Sequence, residues 1–266
     1  LVNPALSQAV DEKRLVDLAD GLQSMRAGLQ LYKAAHGGLL PGQRLPGQAV
    51  TPDAFAAALT EQPGPDGRAL LRREMRLFPD WLLERHLGLI LSDAERRMLE
   101  ETFELLIENA LEQPVVCVHR DYHSRNLMVT RRNSPGILDF QDAVIGPVTY
   151  DLVSLLRDCY IAWPPARVEA WALGYQELAL QSGILREEHG GPVQFLRWFD
   201  LMGVQRHLKA AGIFARLYHR DGKSGYLGDI PRTLGYILTV GRRRPEMAGL
   251  AELVSERVLP ALQATS

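Results

Sequence analysis

The stretch VVCVHRDYHSRNLMVTRRNSPGILDFQD, residues 115–142, decides how this chain reads. Val115–Val118, Leu127–Val129 and Ile137–Phe140 are short apolar runs, the signature of buried strands. Arg131–Gly136 between the last two carries Asn, Ser, Pro and Gly, which is turn chemistry. A small β-hairpin is therefore expected, preceded by a polar loop from His119 to Asn126. That loop holds Asp121 and Asn126. Asp139 follows on the far arm of the hairpin, thirteen residues beyond Asn126. Two carboxylates and one amide are thus carried on a loop and the hairpin behind it.

This set suits phosphoryl transfer. One carboxylate, Asp121, would orient an attacking hydroxyl and take its proton. Asn126 and Asp139 would supply hard oxygen ligands to Mg²⁺ against the phosphates of a nucleotide. His119 and His123 read as supports of the loop. Asp151 reads, from its place in the pattern, as the N-cap of the helix that follows. Asp142 reads equally as a metal helper or a solvated acid. Arg157 and Asp158 read as a surface pair on a helix or as lining of a substrate cleft.

Outward from this segment the chain is helical. Amphipathic periodicity predicts helices over residues 11–35, 69–91, 93–112, 148–160, 164–182, 192–219 and 248–262. Ser92 and Glu95 form a capping-box pattern at the start of the third. Residues 36–68 contain six Gly and five Pro and predict a loop with one short helix at Asp53–Leu59. The expected class is α+β and mainly helical. Two regions are expected: 1–69, a helix and a Gly/Pro-rich connection, and 70–266, a helical lobe carrying the catalytic segment 115–158.

Composition closes off other classes. An apolar fraction of 46% is globular, and Lys+Arg 30 against Asp+Glu 32 gives a formal charge of −2. That balance argues against nucleic acid or an anionic membrane as the main partner. No apolar run approaches the length needed to span a bilayer. Two cysteines outside any CxxC pair suit a reducing, cytoplasmic setting.

The ordered set His119, Asp121, His123, Asn126, Asp139 and Asp151 resembles the catalytic loop of the kinase-like phosphotransferases. The H-x-D-x-H-x-x-N form, Gln141 where protein kinases carry Gly, and GPVTYDLVSLL at 146–156 resemble the aminoglycoside phosphotransferase branch. The resemblance implies a protein-kinase-like C-lobe, with ATP as co-substrate and Mg²⁺ as cofactor. Two further blocks, LRREMRLFPDWLLERHLG at 71–88 and DLMGVQRHLKAAGIFARLYHRDGK at 200–223, are similar to the bacterial N-acetylmuramate/N-acetylglucosamine anomeric kinases of cell-wall recycling. That narrower resemblance implies an amino-sugar acceptor and a nucleotide as partners, the wider one implies Asp151 as a buried brace of the catalytic loop, and a monomer is expected.

A sugar pocket wants carboxylates, cations and aromatic faces together. Glu74, Arg85, Trp163, Asp200 and Arg206 are the candidates by type. Arg186, Arg197, Arg206, Lys209, Arg216, Arg220 and Lys223 make residues 182–225 unsuited to a polycationic drug and favour a neutral or anionic sugar. An aminoglycoside acceptor and a non-catalytic, pseudokinase-like binding module remain the alternatives. The phosphate-covering loop and strand Lys of a β-rich N-lobe are not found, so the sequence reads as a C-lobe whose N-lobe is truncated or absent.

Overall fold

The structure is a computed structural model that describes residues 66–128, 135–139 and 142–265. The helices expected over 11–35 and 53–59 lie outside the described residues, as does nearly all of the expected 1–69 region.

Helix α1 spans Asp66–Leu77 and widens into a π-helical segment, Phe78–His86. The expected single helix over 69–91 is thus two winding modes, and it ends earlier, at Gly88 with φ +63. Helix α2, Asp93–Leu111, starts on the expected capping box: Ser92 Oγ accepts from the Glu95 amide, and Glu95 accepts from the Ser92 amide at 2.6 Å. The chain then forms β1 (Val115–Val118), β2 (Leu127–Met128), β3 (Gly136–Ile137) and β4 (Val144–Pro147). Next come α3 (Tyr150–Leu156), α4 (Pro165–Gln181), α5 (Pro192–Asp221), α6 (Ile230–Gly241), α7 (Ala248–Leu253) and α8 (Leu259–Thr265). A second π-helical segment, Val254–Val258, joins the last two.

Helices dominate, and the described strands form two antiparallel pairs. The pair β2–β3 is the expected hairpin, with Leu127 opposite Ile137 and Met128 opposite Gly136. The partner of β1 is a finding: β4 pairs with it in the register Val115–Pro147 to Val118–Val144. Val144–Pro147 carries Gly146 and Pro147, both poor strand formers, so no strand is expected there from sequence. Helix α6 was also not expected, since Pro231, Gly235 and Gly241 punctuate its pattern. Pro231 stands in its first turn, where a missing N–H costs nothing.

Helix α5 is the central beam. It packs on α1, the first π segment, α2, α3, α4 and α6. Phe195, Phe199, Leu201, Met202, Val204 and Leu208 are buried along it, against Phe78, Phe103 and Leu155 among others. Its crossing with α1 is close because position 212 is Gly: a Cβ there would lie 2.3 Å from the Leu77 carbonyl carbon. Gly222, with φ +67, ends α5 in the left-handed conformation. No described helix is long and apolar enough to cross a membrane.

Candidate active site

The loop between β1 and β2 has few apolar anchors, so polar bonds shape it. Asp151, in the first turn of α3, accepts from the His119 amide at 2.6 Å and the Arg120 amide at 3.1 Å. Arg120 sits at φ +74, a conformation strained for any side chain with a Cβ. Three bonds hold it there. Its amide goes to Asp151, its carbonyl accepts from Arg206 Nη1 at 2.9 Å, and its guanidinium reaches Glu74 at 2.7 Å. Burial pushes the Asp151 carboxyl above its ordinary value, against the pull of the His119 amide and of Arg206.

Beyond Arg120 the loop turns on itself. The Asp121 carbonyl accepts from the His123 amide at 3.0 Å and from Asn126 Nδ2 at 2.9 Å. With its NH₂ committed, Asn126 keeps its amide oxygen as the atom able to hold a cation. The Leu138 amide bonds to the Asn126 carbonyl at 2.9 Å, extending the hairpin by one rung. That rung brings Asp139, at φ +66, back beside the loop. Asp121, Asn126 and Asp139 thus sit at one end of one hairpin. A second carboxylate, Asp158, holds the far side of the loop: its oxygens accept from the Ser124 and Tyr160 amides, each at 2.8 Å.

His119 and His123 lie under and within the loop. The His119 ring meets the Tyr122 ring edge-on at 5.8 Å, and both its nitrogens are buried without a partner among the described residues. His123 packs edge-on to Tyr160 at 5.3 Å, and its Nδ1 is likewise unpartnered. Burial lowers the His123 pKa, so the ring is held toward its neutral form.

Of the residues picked by type for a sugar pocket, Glu74 and Arg206 both bond Arg120, while Asp200, Arg85 and Trp163 have other partners. Glu74 is buried, with Arg120, Lys209 and Gln205 bonded to it at 2.7, 2.8 and 3.2 Å. Burial pushes its carboxyl up, but Lys209 and Arg120 outweigh that and hold the pKa below the ordinary value. Asp200 is only 1% exposed, and its two oxygens go to Arg157 at 2.5 Å and Arg244 at 2.9 Å. Both carboxylates are buried and paired with cations. Arg206 stacks over Tyr150 at 4.4 Å while it holds Arg120. Arg85 is exposed, 4.7 Å above the Trp81 ring. Trp163 meets Trp171 edge-on at 5.6 Å. Asp142 is exposed at the start of the segment leading into β4.

Arg157 and Asp158 need a correction. Neither is on a surface: Arg157 is buried against Asp200 and Phe199, and Asp158 anchors the loop. Sequence reasoning did not give Asp158 its loop-holding role, nor Lys209 and Gln205 their bonds to Glu74, because local patterning does not show which distant residue a polar side chain meets. Cys117 and Cys159 are free thiols, each pushed to about 11 by burial, which makes them poor nucleophiles.

An Asp/Asn/Asp set on a clamped loop and the hairpin behind it is the kind phosphoryl transfer needs. Residues 4–189 match the phosphotransferase enzyme family, and the chain belongs to it. The chain is similar to three proteins named N-acetylmuramate/N-acetylglucosamine kinase. The one from Pseudomonas putida is 50% identical over 226 residues, 85% of this chain and 62% of that protein. The one from Pseudomonas aeruginosa is 52% identical over 187 residues, 70% of this chain and 54% of that protein. The one from Neisseria meningitidis serogroup B is 49% identical over 191 residues, covering 72% and 56%. The chain therefore spans between 54% and 62% of the length of these relatives.

Proposed function

We propose that this chain carries the catalytic lobe of an ATP- and Mg²⁺-dependent kinase that phosphorylates the anomeric hydroxyl of N-acetylmuramate or N-acetylglucosamine. The observation that carries the reading is the loop from His119 to Asn126, clamped by Asp151 and Asp158 and bonded through the Asn126 carbonyl to Leu138, the neighbour of Asp139. The acceptor sugar comes from the relatives' names and from the basic character of α5.

Asp121 takes the proton of the attacking hydroxyl and orients its oxygen. The Asn126 amide oxygen and the Asp139 carboxylate are hard donors of the kind Mg²⁺ prefers, and they would hold it. An ion held by these two residues would supply positive charge against the transferring phosphoryl group. Asp151, Glu74, Arg206 and Asp158 are positioning residues. They fix the Asp121 backbone through the loop, and about 1 Å of misplacement costs on the order of 10²-fold in rate.

The test is incubation with Mg²⁺-ATP and each sugar, followed by ³¹P NMR. A sugar-1-phosphate resonance that Asp121→Asn reduces by about 10²–10⁴-fold is the expected result. An Asp121→Asn protein with full turnover would remove Asp121 from the mechanism. Phosphorylation of kanamycin in place of either sugar would move the acceptor to the aminoglycosides.

A further inference from the structure

Arg125 lies between His123 and Asn126, four residues past Asp121, and the catalytic loop does not use it as a clamp. Its guanidinium carbon lies 3.6 Å above the Tyr160 ring and 5.6 Å from the Tyr226 ring. Tyr226 and Tyr160 each pack on Phe214, at 5.6 and 6.2 Å, so the platform is rooted in α5. The Tyr160 amide is fixed by Asp158, the residue that also holds the Ser124 amide. The platform and the catalytic loop are thus tied to one carboxylate.

Arg125 is loosely paired. Among the described residues its ion-pair partner is Asp229, whose Oδ2 is 3.7 Å from Arg125 Nη2, too far for a hydrogen bond. The other Asp229 oxygen is taken by Arg232 at 3.1 Å. Arg232 itself is anchored on the Cys159 and Tyr160 carbonyls at 3.0 and 3.2 Å. Two guanidinium groups therefore share the Asp229 carboxylate, and the other nearby acid, Asp158, is committed to the Ser124 and Tyr160 amides, so the Arg125 N–H groups have no hydrogen-bonded carboxylate among the described residues. Half of the Arg125 side chain remains exposed. A guanidinium lying flat on an aromatic ring presents its N–H edge outward, the geometry that meets a carboxylate with two parallel bonds. His123, whose ring abuts Tyr160 from the loop side, adds a buried ring nitrogen with no partner among the described residues.

We propose that Arg125, seated on Tyr160 and Tyr226, is the specificity residue that recognises a carboxylate on the acceptor. The group it fits is an acidic side arm of a sugar, such as the lactyl ether that N-acetylmuramate has and N-acetylglucosamine lacks. The inference rests on the sugar-kinase reading above and assigns its selectivity to a residue that reading did not use. Asp229, Arg232 and Asp158 act on it as positioning residues.

The test compares ligand-observed NMR dissociation constants for N-acetylmuramate, its methyl ester and N-acetylglucosamine, on the wild-type chain and on Arg125→Met. The wild type is expected to favour N-acetylmuramate over N-acetylglucosamine. That ratio should fall about tenfold in Arg125→Met, the scale of one charge-assisted pair. On the wild type, the ester should lose the same preference, which checks the inference without any substitution. Added salt should erode the preference in the wild type and leave the variant's ratio unmoved. An unchanged ratio in Arg125→Met, or an ester that binds the wild type as well as the acid, overturns the assignment. A wild-type chain that binds none of the three sugars overturns the sugar reading, and this inference with it; that outcome is separate because it appears before any variant is made.

Discussion

Replacing Asp151 tests whether the catalytic loop is held from α3. Its carboxylate accepts two backbone N–H groups, at 2.6 and 3.1 Å, and one of them belongs to the strained Arg120. A hydrogen bond to a charged group is worth roughly 1.5–3 kcal/mol net, and an orphaned buried donor costs a comparable amount. Asp151→Ala orphans both donors but also removes a buried charge, so the net loss is about 2–4 kcal/mol. Asp151→Asn keeps one oxygen and turns an NH₂ toward the other donor, which costs about 1–3 kcal/mol. Against a total of about 5–15 kcal/mol, either change is readable in urea unfolding followed by circular dichroism. Amide hydrogen exchange then locates the loss: opening the loop by about 2 kcal/mol should speed exchange at His119 and Arg120 by roughly 30-fold. If Asp151 acted instead as a helix cap, the deprotected amides would be those of Leu152–Ser154. Unfolding within about 0.5 kcal/mol of wild type, with the 119 and 120 amides still protected, would refute the clamp.

Two further substitutions follow from the packing and from a buried imidazole. Gly212→Ala should destabilise by about 1–3 kcal/mol or more, because the new methyl meets the Leu77 backbone at 2.3 Å; Gly174→Ala, on open helix surface, should stabilise by about 0.5–1 kcal/mol. Thermal melting of the two proteins gives shifts of opposite sign if the α1–α5 crossing is as close as described. His207 is buried, its Nε2 bonded to the Arg157 carbonyl at 2.9 Å, and burial depresses its pKa from 6.5 to about 3. A depressed histidine binds its proton only on unfolding, so its contribution is full above pH 6.5 and is lost as pH falls toward 3. The slope is about 1.4 kcal/mol per pH unit per proton, and His207→Phe should flatten the stability curve between pH 6.5 and 5. A curve of unchanged slope in that variant would assign the titration to another group.

Much of this protein is legible in order along the chain. Repeats of three and four residues mark α1, α2, α4 and α5, and Ser92 with Glu95 marks the start of α2, because helix formation and capping are local. The alternation of short apolar runs with RRNSPG marks the hairpin. Its ends, with Asp121, Asn126 and Asp139, stand out because reactive side chains cluster in a motif of fixed spacing. The misses have a common cause. Strand β4 and helix α6 carry Gly and Pro that break the local pattern, and their pairing with β1 and packing on α5 are not visible in sequence.

Residue type alone could not sort the charged side chains of α1 and α5. Glu74 and Asp200 look like pocket carboxylates in sequence, yet each is surrounded by cations and buried. Arg125 sits inside the most conspicuous motif of the chain, but its meaning depends on Tyr160, Tyr226 and Asp229, which lie 35 to 104 residues away. Sequence by itself determined which local elements form and which side chains could do chemistry, since both depend on neighbours within a few residues. Tertiary structure decided which of those side chains are buried and which stay open to a ligand. A charge's role is set by the dielectric around it and by the opposite charges within a few ångströms, and the fold alone supplies those.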